Sequence, residues 1–165
     1  MFHRTQYVVE KKLLTVRKTY SVKDVNGNLL GYIKGNKKKI WFERMDGTHQ
    51  GEIRYKNSTG PYEVYDAQDQ LRATIEWAGG LGLRRSKWRM KDPQGKQLAM
   101  AESGRFLRHN YRILALDGSA IAQIRRKLRS YRIDISRSGF DPLLILSYVV
   151  VDISQEVPTV TMPPP

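Results

Sequence analysis

Residues 140–152 read FDPLLILSYVVVD and contain the one long apolar run of the sequence. Asp141 is a good helix N-cap residue. Pro142 suits the first helical position, because a backbone N–H at that position has no partner within the helix and proline has none to leave unpaired. The residues that follow are apolar on every side, so a helix made from them must be surrounded by apolar partners. The run is too short to span a bilayer, which takes about 20 residues. The alternative is a buried strand over 143–151, because the three valines at 149–151 are β-branched.

Upstream of this stretch, one strand–turn–strand pattern occurs four times. Each copy starts with an aromatic residue, alternates, turns at Asp or Gly, and resumes with apolar residues; the copies span 20–30, 62–71, 88–98 and 111–121. Alternation with a period of two is typical of a half-buried strand, and Asp and Gly supply turn conformations that other residues resist. We expect Asp24, Asp66 and Asp92 to bond to their own backbone in these turns.

Other alternating stretches fill the gaps between these hairpins. They lie at 7–9, 13–16, 39–42 paired with 51–55, and 129–135. The count is about twelve strands, and a sheet of that size closes or splits because an open one leaves exposed edges. One buried helix after a dozen strands therefore predicts a mainly β fold, a closed antiparallel barrel around a C-terminal hydrophobic helix at about 141–152. We expect a single domain over 1–154 and a Pro-rich, disordered tail at 155–165.

The amino-acid composition excludes several kinds of functional site and favours a cellular compartment. The 165 residues include 29 Lys and Arg, 16 Asp and Glu and no Cys, which gives a formal net charge of +13. Residues 1–60 hold 13 Lys and Arg against 5 Asp and Glu. The absence of Cys excludes disulfides, thiolate metal sites and Cys nucleophiles, and it fits a reducing compartment. The N-terminus has no apolar signal-peptide core, so we expect a cytoplasmic protein that can lie peripherally at a membrane.

Three segments carry a resemblance to a known family. YSVKDVNGNLLG at 20–31, WRMKDPQG at 88–95 and FDPLLILSYVVVD at 140–152 resemble the LURP-one-related family, which is grouped with the phospholipid scramblases and the Tubby C-terminal domain. The similarity extends over roughly residues 5–154. It implies a twelve-stranded barrel around a C-terminal hydrophobic helix, in agreement with the pattern of the residues themselves.

The resemblance implies two kinds of function. Tubby-like domains bind phosphoinositides through basic surface residues, and scramblases are described as moving lipids between leaflets with calcium. The scramblase calcium segment corresponds to 131–141 here, where Asp134 and Asp141 are the only carboxylates. A Ca²⁺ site takes about six to eight oxygen ligands, several of them carboxylates. We therefore expect the scaffold without calcium-dependent scrambling, and with no metal or cofactor.

Three basic clusters form the candidate site. Cations at a turn or strand end can converge on phosphates, and Arg bonds phosphate in a bidentate fork. Neighbours in a strand face opposite sides, so not all members of a cluster can act together. The alternative is a solvated rim that keeps strand edges from pairing. The candidate anion-binding residues are Lys37, Lys38, Lys39, Arg84, Arg85, Lys87, Arg125, Arg126, Lys127 and Arg129.

These observations predict a non-enzymatic barrel that binds anionic ligands, above all phosphoinositide or other acidic lipid headgroups. Neither a nucleophile elbow nor a His–carboxylate spacing of a metal site occurs in the sequence. The main alternative is electrostatic nucleic-acid binding with aromatic residues stacked on bases, and a third is a protein-interaction scaffold. We expect the aromatics to form core layers instead; they are Tyr20, Trp41, Tyr62, Trp77, Trp88 and Tyr111.

Overall fold

The structure is a computed structural model that describes residues 3–12, 18–36, 38–57, 60–79, 87–103 and 110–154. The predicted strand at 13–16 and the predicted tail at 155–165 lie outside the described residues. The described elements are β1 (Gln6–Lys11), β2 (Lys18–Lys23), β3 (Leu29–Gly35), β4 (Lys39–Arg44), β5 (His49–Arg54), β6 (Tyr62–Asp66), β7 (Leu71–Gly79), β8 (Lys87–Lys91), β9 (Gln97–Ser103), β10 (Tyr111–Leu114), β11 (Ala120–Lys127), β12 (Ser130–Ile135) and α1 (Pro142–Ser154).

The twelve strands form one closed barrel, as the sequence predicts. Each strand pairs antiparallel with its sequence neighbours, and β1 also pairs with β12. In that closing pair Gln6 lies opposite Asp134, and Glu10 lies opposite Ser130. Every strand therefore has two partners, and no strand edge remains for the basic clusters to protect.

Aspartates shape the hairpin turns as expected. Oδ1 of Asp24 accepts the backbone N–H groups of Asn26 and Asn28, both at 2.9 Å. Asp66 and Asp92 accept in the same way from the residues two and four positions further along the chain. Hydrogen bonds from the side chain and backbone of Asn28 hold the pKa of Asp24 below its usual range. The repeated aspartates are thus turn-forming residues.

The inward-facing side chains of the strands form the core. Its largest members include Tyr7, Tyr20, Tyr62, Tyr131 and Phe42, which are almost completely buried.

The expectation that the aromatics form core layers is correct where they start a repeated hairpin. Trp88 is buried and Tyr111 packs against the core. It is wrong for Trp77, which is 44% exposed near the end of β7. Trp41 is only partly buried, and its indole N–H donates to Glu43 at 2.8 Å. Neither tryptophan starts one of the four repeated hairpins, so the repetition gave no information about them.

The segment after β12 is a helix rather than a thirteenth strand. Oδ1 of Asp141 accepts the N–H of Leu143 at 2.9 Å, which is the predicted N-cap. All eleven residues of α1 from Leu143 to Ile153 are buried. At its other end, the hydroxyl oxygens of Ser154 and Tyr62 lie 2.7 Å apart. The helix therefore occupies the barrel interior, as its apolar surface requires.

The two ends of the barrel differ in charge. At one end, called the aspartate end here, five described turns each contain one aspartate; these are Asp24, Asp46, Asp69, Asp92 and Asp117. Those turns contain one cation, Lys96. The helix begins at this end, because β12 delivers the chain there.

The opposite end, called the basic end here, is where β1–β2, β3–β4, β5–β6, β7–β8, β9–β10 and β11–β12 are joined. In the part of these connections that the structure describes, the charged residues are Lys12, Lys38, Lys56 and Arg129, with no carboxylate among them. The C-terminus of α1 reaches the same end, beside the start of β6. The barrel is thus positively charged at the end where its helix terminates.

Candidate functional site

The basic end brings together described members of all three sequence-predicted clusters. Lys38 and Lys39 lie at the β3–β4 connection, Lys87 starts β8, and Arg129 lies in the β11–β12 turn. Each of these connections follows an odd-numbered strand of an up-and-down barrel, so all three lie at one end. Lys37, Arg84 and Arg85 lie outside the described residues.

The first cluster is organised by Asn36. Its side-chain oxygen accepts the backbone N–H groups of Lys38 and Lys39 at 2.9 and 3.0 Å. The Lys39 ammonium is 3.3 Å from the carboxylate of Glu52, so its charge is only partly available. Lys38 is exposed and forms no ion pair with any described residue. Of this pair, Lys38 has the charge that is available to a ligand.

The second cluster has one described member. The Lys87 ammonium lies 3.6 Å from a carboxylate oxygen of Glu102 on the neighbouring strand, and 46% of its side chain is exposed. Lys87 therefore has an internal partner, and its charge is only partly available.

The third cluster divides according to the alternation of β11. Arg126 is partly buried, with a guanidinium nitrogen 3.5 Å from Asp152 at the end of the helix. Arg125 is exposed and donates to the Gln123 side chain at 3.0 Å. Lys127 and Arg129 are exposed, and neither forms an ion pair among the described residues. Neighbouring residues of the third cluster thus face opposite sides of the barrel wall, and Arg126 is the one that faces the interior.

Exposed apolar side chains at the basic end were missed by the sequence analysis. Leu128, between Lys127 and Arg129, is 93% exposed at the tip of the β11–β12 hairpin. Trp77 is exposed near the end of β7, at the same end of the barrel. Leu128 could have been found from the sequence, because a leucine in a two-residue turn between cations cannot reach the core.

A polar cluster anchors the helix just inside the basic end. Asp152 is buried, and its carboxylate accepts the hydroxyl groups of Tyr111 at 2.8 Å and Tyr131 at 2.6 Å. Burial and the neighbouring Asp152 carboxylate raise the pKa of Tyr111 well above its ordinary value. The Arg126 guanidinium lies over the Tyr131 ring, 5.6 Å from its centroid. This cluster fixes Arg126 and holds the end of α1 against the barrel wall.

Metal chemistry has no candidate in the part of the chain that the structure describes. No group of three or more His, Asp or Glu side chains there is placed to hold a metal ion. His49 is 3.9 Å from Glu52, which is already bonded to Lys39 and Arg54. Nor does the described part contain a helix with the length and apolar character needed to cross a membrane.

Comparison with known proteins agrees with the architecture. A solved structure of a protein from Arabidopsis thaliana superposes with a TM-score of 0.63 at 18% sequence identity, covering 92% of this chain and 93% of that one. At this identity the likeness shows a shared fold, a Tubby-like barrel. No curated protein matches the chain. The sequence profile of the family described as LURP-one-related matches residues 5–151, nearly the whole barrel and helix. The chain therefore belongs to the LURP-one-related family.

Proposed function

We propose that this barrel binds the anionic headgroups of phospholipids at a membrane surface through its basic end. The observation that carries the proposal is the group of exposed cations at the end opposite the aspartate turns that form no ion pair with a described residue; the group includes Lys38, Lys56, Lys127 and Arg129. An unpaired cation gains more from an anionic ligand than one that must first leave a carboxylate. The resemblance to Tubby-like domains, which bind phosphoinositides, points to the same class of ligand.

The arrangement of the clusters suits an extended surface better than a single small anion. The β3–β4 connection, the start of β8 and the β11–β12 turn are separated by four strands each around the barrel. Neighbouring strands are about 4.8 Å apart, so clusters four strands apart lie about 20 Å from one another along the rim. One phosphate group cannot bridge that distance, whereas a bilayer surface meets several clusters at once.

The exposed apolar residues favour a membrane over nucleic acid. Leu128 lies between Lys127 and Arg129, so cations that approach headgroups would carry its side chain toward the acyl region. Trp77 is exposed at the same end, and tryptophan is enriched at membrane–water interfaces. A leucine at a hairpin tip gains nothing from contact with a phosphodiester backbone.

The expected membrane contact is weak and reversible. A cation beside an anionic bilayer contributes about 1 kcal/mol, and burial of a leucine side chain contributes about 2 kcal/mol. Three of the exposed cations and Leu128 together contribute about 5 kcal/mol, similar to one myristoyl chain. The proposal therefore predicts binding that needs abundant anionic lipid and falls as salt is added.

Vesicle flotation tests this proposal. At about 0.1 M salt, the protein should float with phosphatidylcholine vesicles that contain a phosphatidylinositol phosphate, and not with phosphatidylcholine alone. Lys127→Gln with Arg129→Gln should reduce the bound fraction severalfold. Lys96→Gln with Arg137→Gln removes the same charge at the aspartate end and should leave binding unchanged.

A second variant separates the lipid proposal from the nucleic-acid alternative. Leu128→Ser should weaken vesicle binding and leave any retention of duplex DNA in a gel shift unchanged. The lipid proposal is wrong if the protein does not bind the vesicles but binds DNA, and if Lys127→Gln with Arg129→Gln abolishes that DNA binding. The protein would then be a nucleic-acid binder.

A further inference from the structure

The aspartate end contains a cleft that the proposed membrane contact does not use. It lies between the β8–β9 turn, the β10–β11 turn and the segment that leads from β12 into the helix. Its volume is about 470 Å³. At about 30 Å³ for each non-hydrogen atom, the volume of a liquid water molecule, that space accommodates about a dozen or more such atoms. The cleft is within the usual size range of a small-molecule site.

Apolar side chains line much of the cleft. Leu98 and Phe140 are partly buried and pack against the barrel core, and Ile121 is a fully buried member of that core. Leu116 adds a side chain that is 62% exposed. Apolar surface that is open to water is covered favourably by a hydrocarbon chain, because the contact removes that surface from water.

The rim of the cleft supplies a positive charge. Lys96 and Arg137 line it and are exposed, and neither forms an ion pair with a described residue. Asp117 also lines the cleft; hydrogen bonds from the hydroxyl and the backbone N–H of Ser119, at 2.6 and 2.9 Å, together with the nearby charge of Arg137 hold the pKa of its carboxyl below the usual range. Two cations and one carboxylate leave a net charge of +1 beside the apolar surface.

We propose that this cleft binds a small amphipathic anion, whose head lies at Lys96 and Arg137 and whose aliphatic chain of about ten carbons covers Leu98, Leu116 and Phe140. The apolar lining selects against small anions, and the two cations select against neutral amphiphiles. This site is independent of the proposed membrane contact, which lies at the other end of the barrel.

Calorimetric titration with decanoate, below its micelle concentration, tests the inference. Decanoate should bind, and decanol and acetate should each bind severalfold more weakly. Arg137→Gln should weaken decanoate binding about threefold to fivefold, the range of an exposed charge pair. Asp117→Asn removes the one carboxylate among the described lining residues, while its amide oxygen can still accept the hydrogen bonds of the turn. It should therefore tighten binding about twofold. Arg44→Gln removes an exposed cation of β4 that belongs neither to the cleft nor to the proposed membrane contact, so it is the control and should have no effect.

The outcomes separate the alternatives. Decyl phosphate in place of decanoate identifies the preferred head group, and tighter binding of either anion than of decanol supports the site. Equal binding of decanol and decanoate would overturn the inference. So would an unchanged affinity in folded Arg137→Gln protein, with folding checked by circular dichroism. A failure of vesicle binding in the flotation experiment leaves this result unaffected.

Discussion

Gly51 allows the helix to pack against the barrel wall. Its φ is +148°, a conformation that residues with a side chain rarely adopt. A β-carbon added at this position would lie 2.7 Å from the carbonyl oxygen of Tyr65 and 3.3 Å from the side chain of Leu143. Both the backbone conformation and the space therefore require glycine at the point where β5, β6 and the first turn of α1 meet.

Gly51→Ala should destabilise the protein by about 2–4 kcal/mol, because backbone strain and a steric clash add. Gly27→Ala is the matched control: its φ is +83°, but no atom lies within 4 Å of the added carbon. It should cost only about 1 kcal/mol. Urea denaturation of the three proteins measures the difference, and equal costs would show that the close approach of Tyr65 and Leu143 to this position is unimportant.

Glu52 predicts a specific pH dependence of stability. Burial by itself raises the pKa of this carboxyl, but hydrogen bonds from Arg54 and Lys39 outweigh it and hold the pKa below its usual value. The stabilisation is therefore fully present above the unfolded pKa, near 4.5, and is lost as pH falls through the lower folded pKa.

Glu52→Gln should cost about 1–2 kcal/mol at neutral pH and progressively less below about pH 4. Urea unfolding as a function of pH provides the measurement. Glu63→Gln removes an exposed carboxylate that forms no ion pair among the described residues, and its stability profile should follow that of the parent protein. A constant deficit of Glu52→Gln at every pH would contradict the assignment.

At the residue scale, local roles could be predicted and distant partners could not. The turn function of Asp24, Asp66 and Asp92 follows from chemistry within four residues of each. Asp152 is bonded to tyrosines that lie 41 and 21 positions away in sequence. Alternation indicated that some members of the basic run at 125–129 face inward, but not that Arg126 would meet Asp152, 26 positions away.

The helix is the element that fills the barrel. Ile145 is completely buried in α1, so Ile145→Asp would place a carboxylate away from water without a partner. We expect this variant to be unfolded in circular dichroism and tryptophan fluorescence. Leu128→Asp puts the same charge on a side chain that is 93% exposed and should keep its parent stability. A folded Ile145→Asp protein of normal stability would mean that the helix is peripheral.

At the element scale, the sequence predicted more than at the scale of the single residue. Alternation identified the described strands because each has one face in the core and one in solvent. The run at 143–151 fitted either a strand or a helix by its apolar content alone. The N-cap at Asp141 settled the choice, since it stabilises a helix start and has no counterpart in a strand.

The charge distribution is a property of the whole molecule. In the sequence, the excess charge is concentrated in residues 1–60, with 13 Lys and Arg against 5 Asp and Glu. In the barrel, the meaningful division is instead between its two ends, because connections after odd-numbered and even-numbered strands lie at opposite ends. A count of charges along the sequence combines residues from both ends of the barrel. The difference in charge between the ends is therefore visible only once the strand order is known.

The pairing of β1 with β12 determines when the molecule can be completed during synthesis. The Gln6 side chain bonds to Asp134, 128 positions later, and the helix that fills the interior is made after all twelve strands. The apolar faces of the strands that leave the ribosome first stay exposed until the helix of residues 142–154 has been synthesised and can cover them. A nascent chain of this kind has the strongest need of a chaperone just before residues 142–154 leave the ribosome.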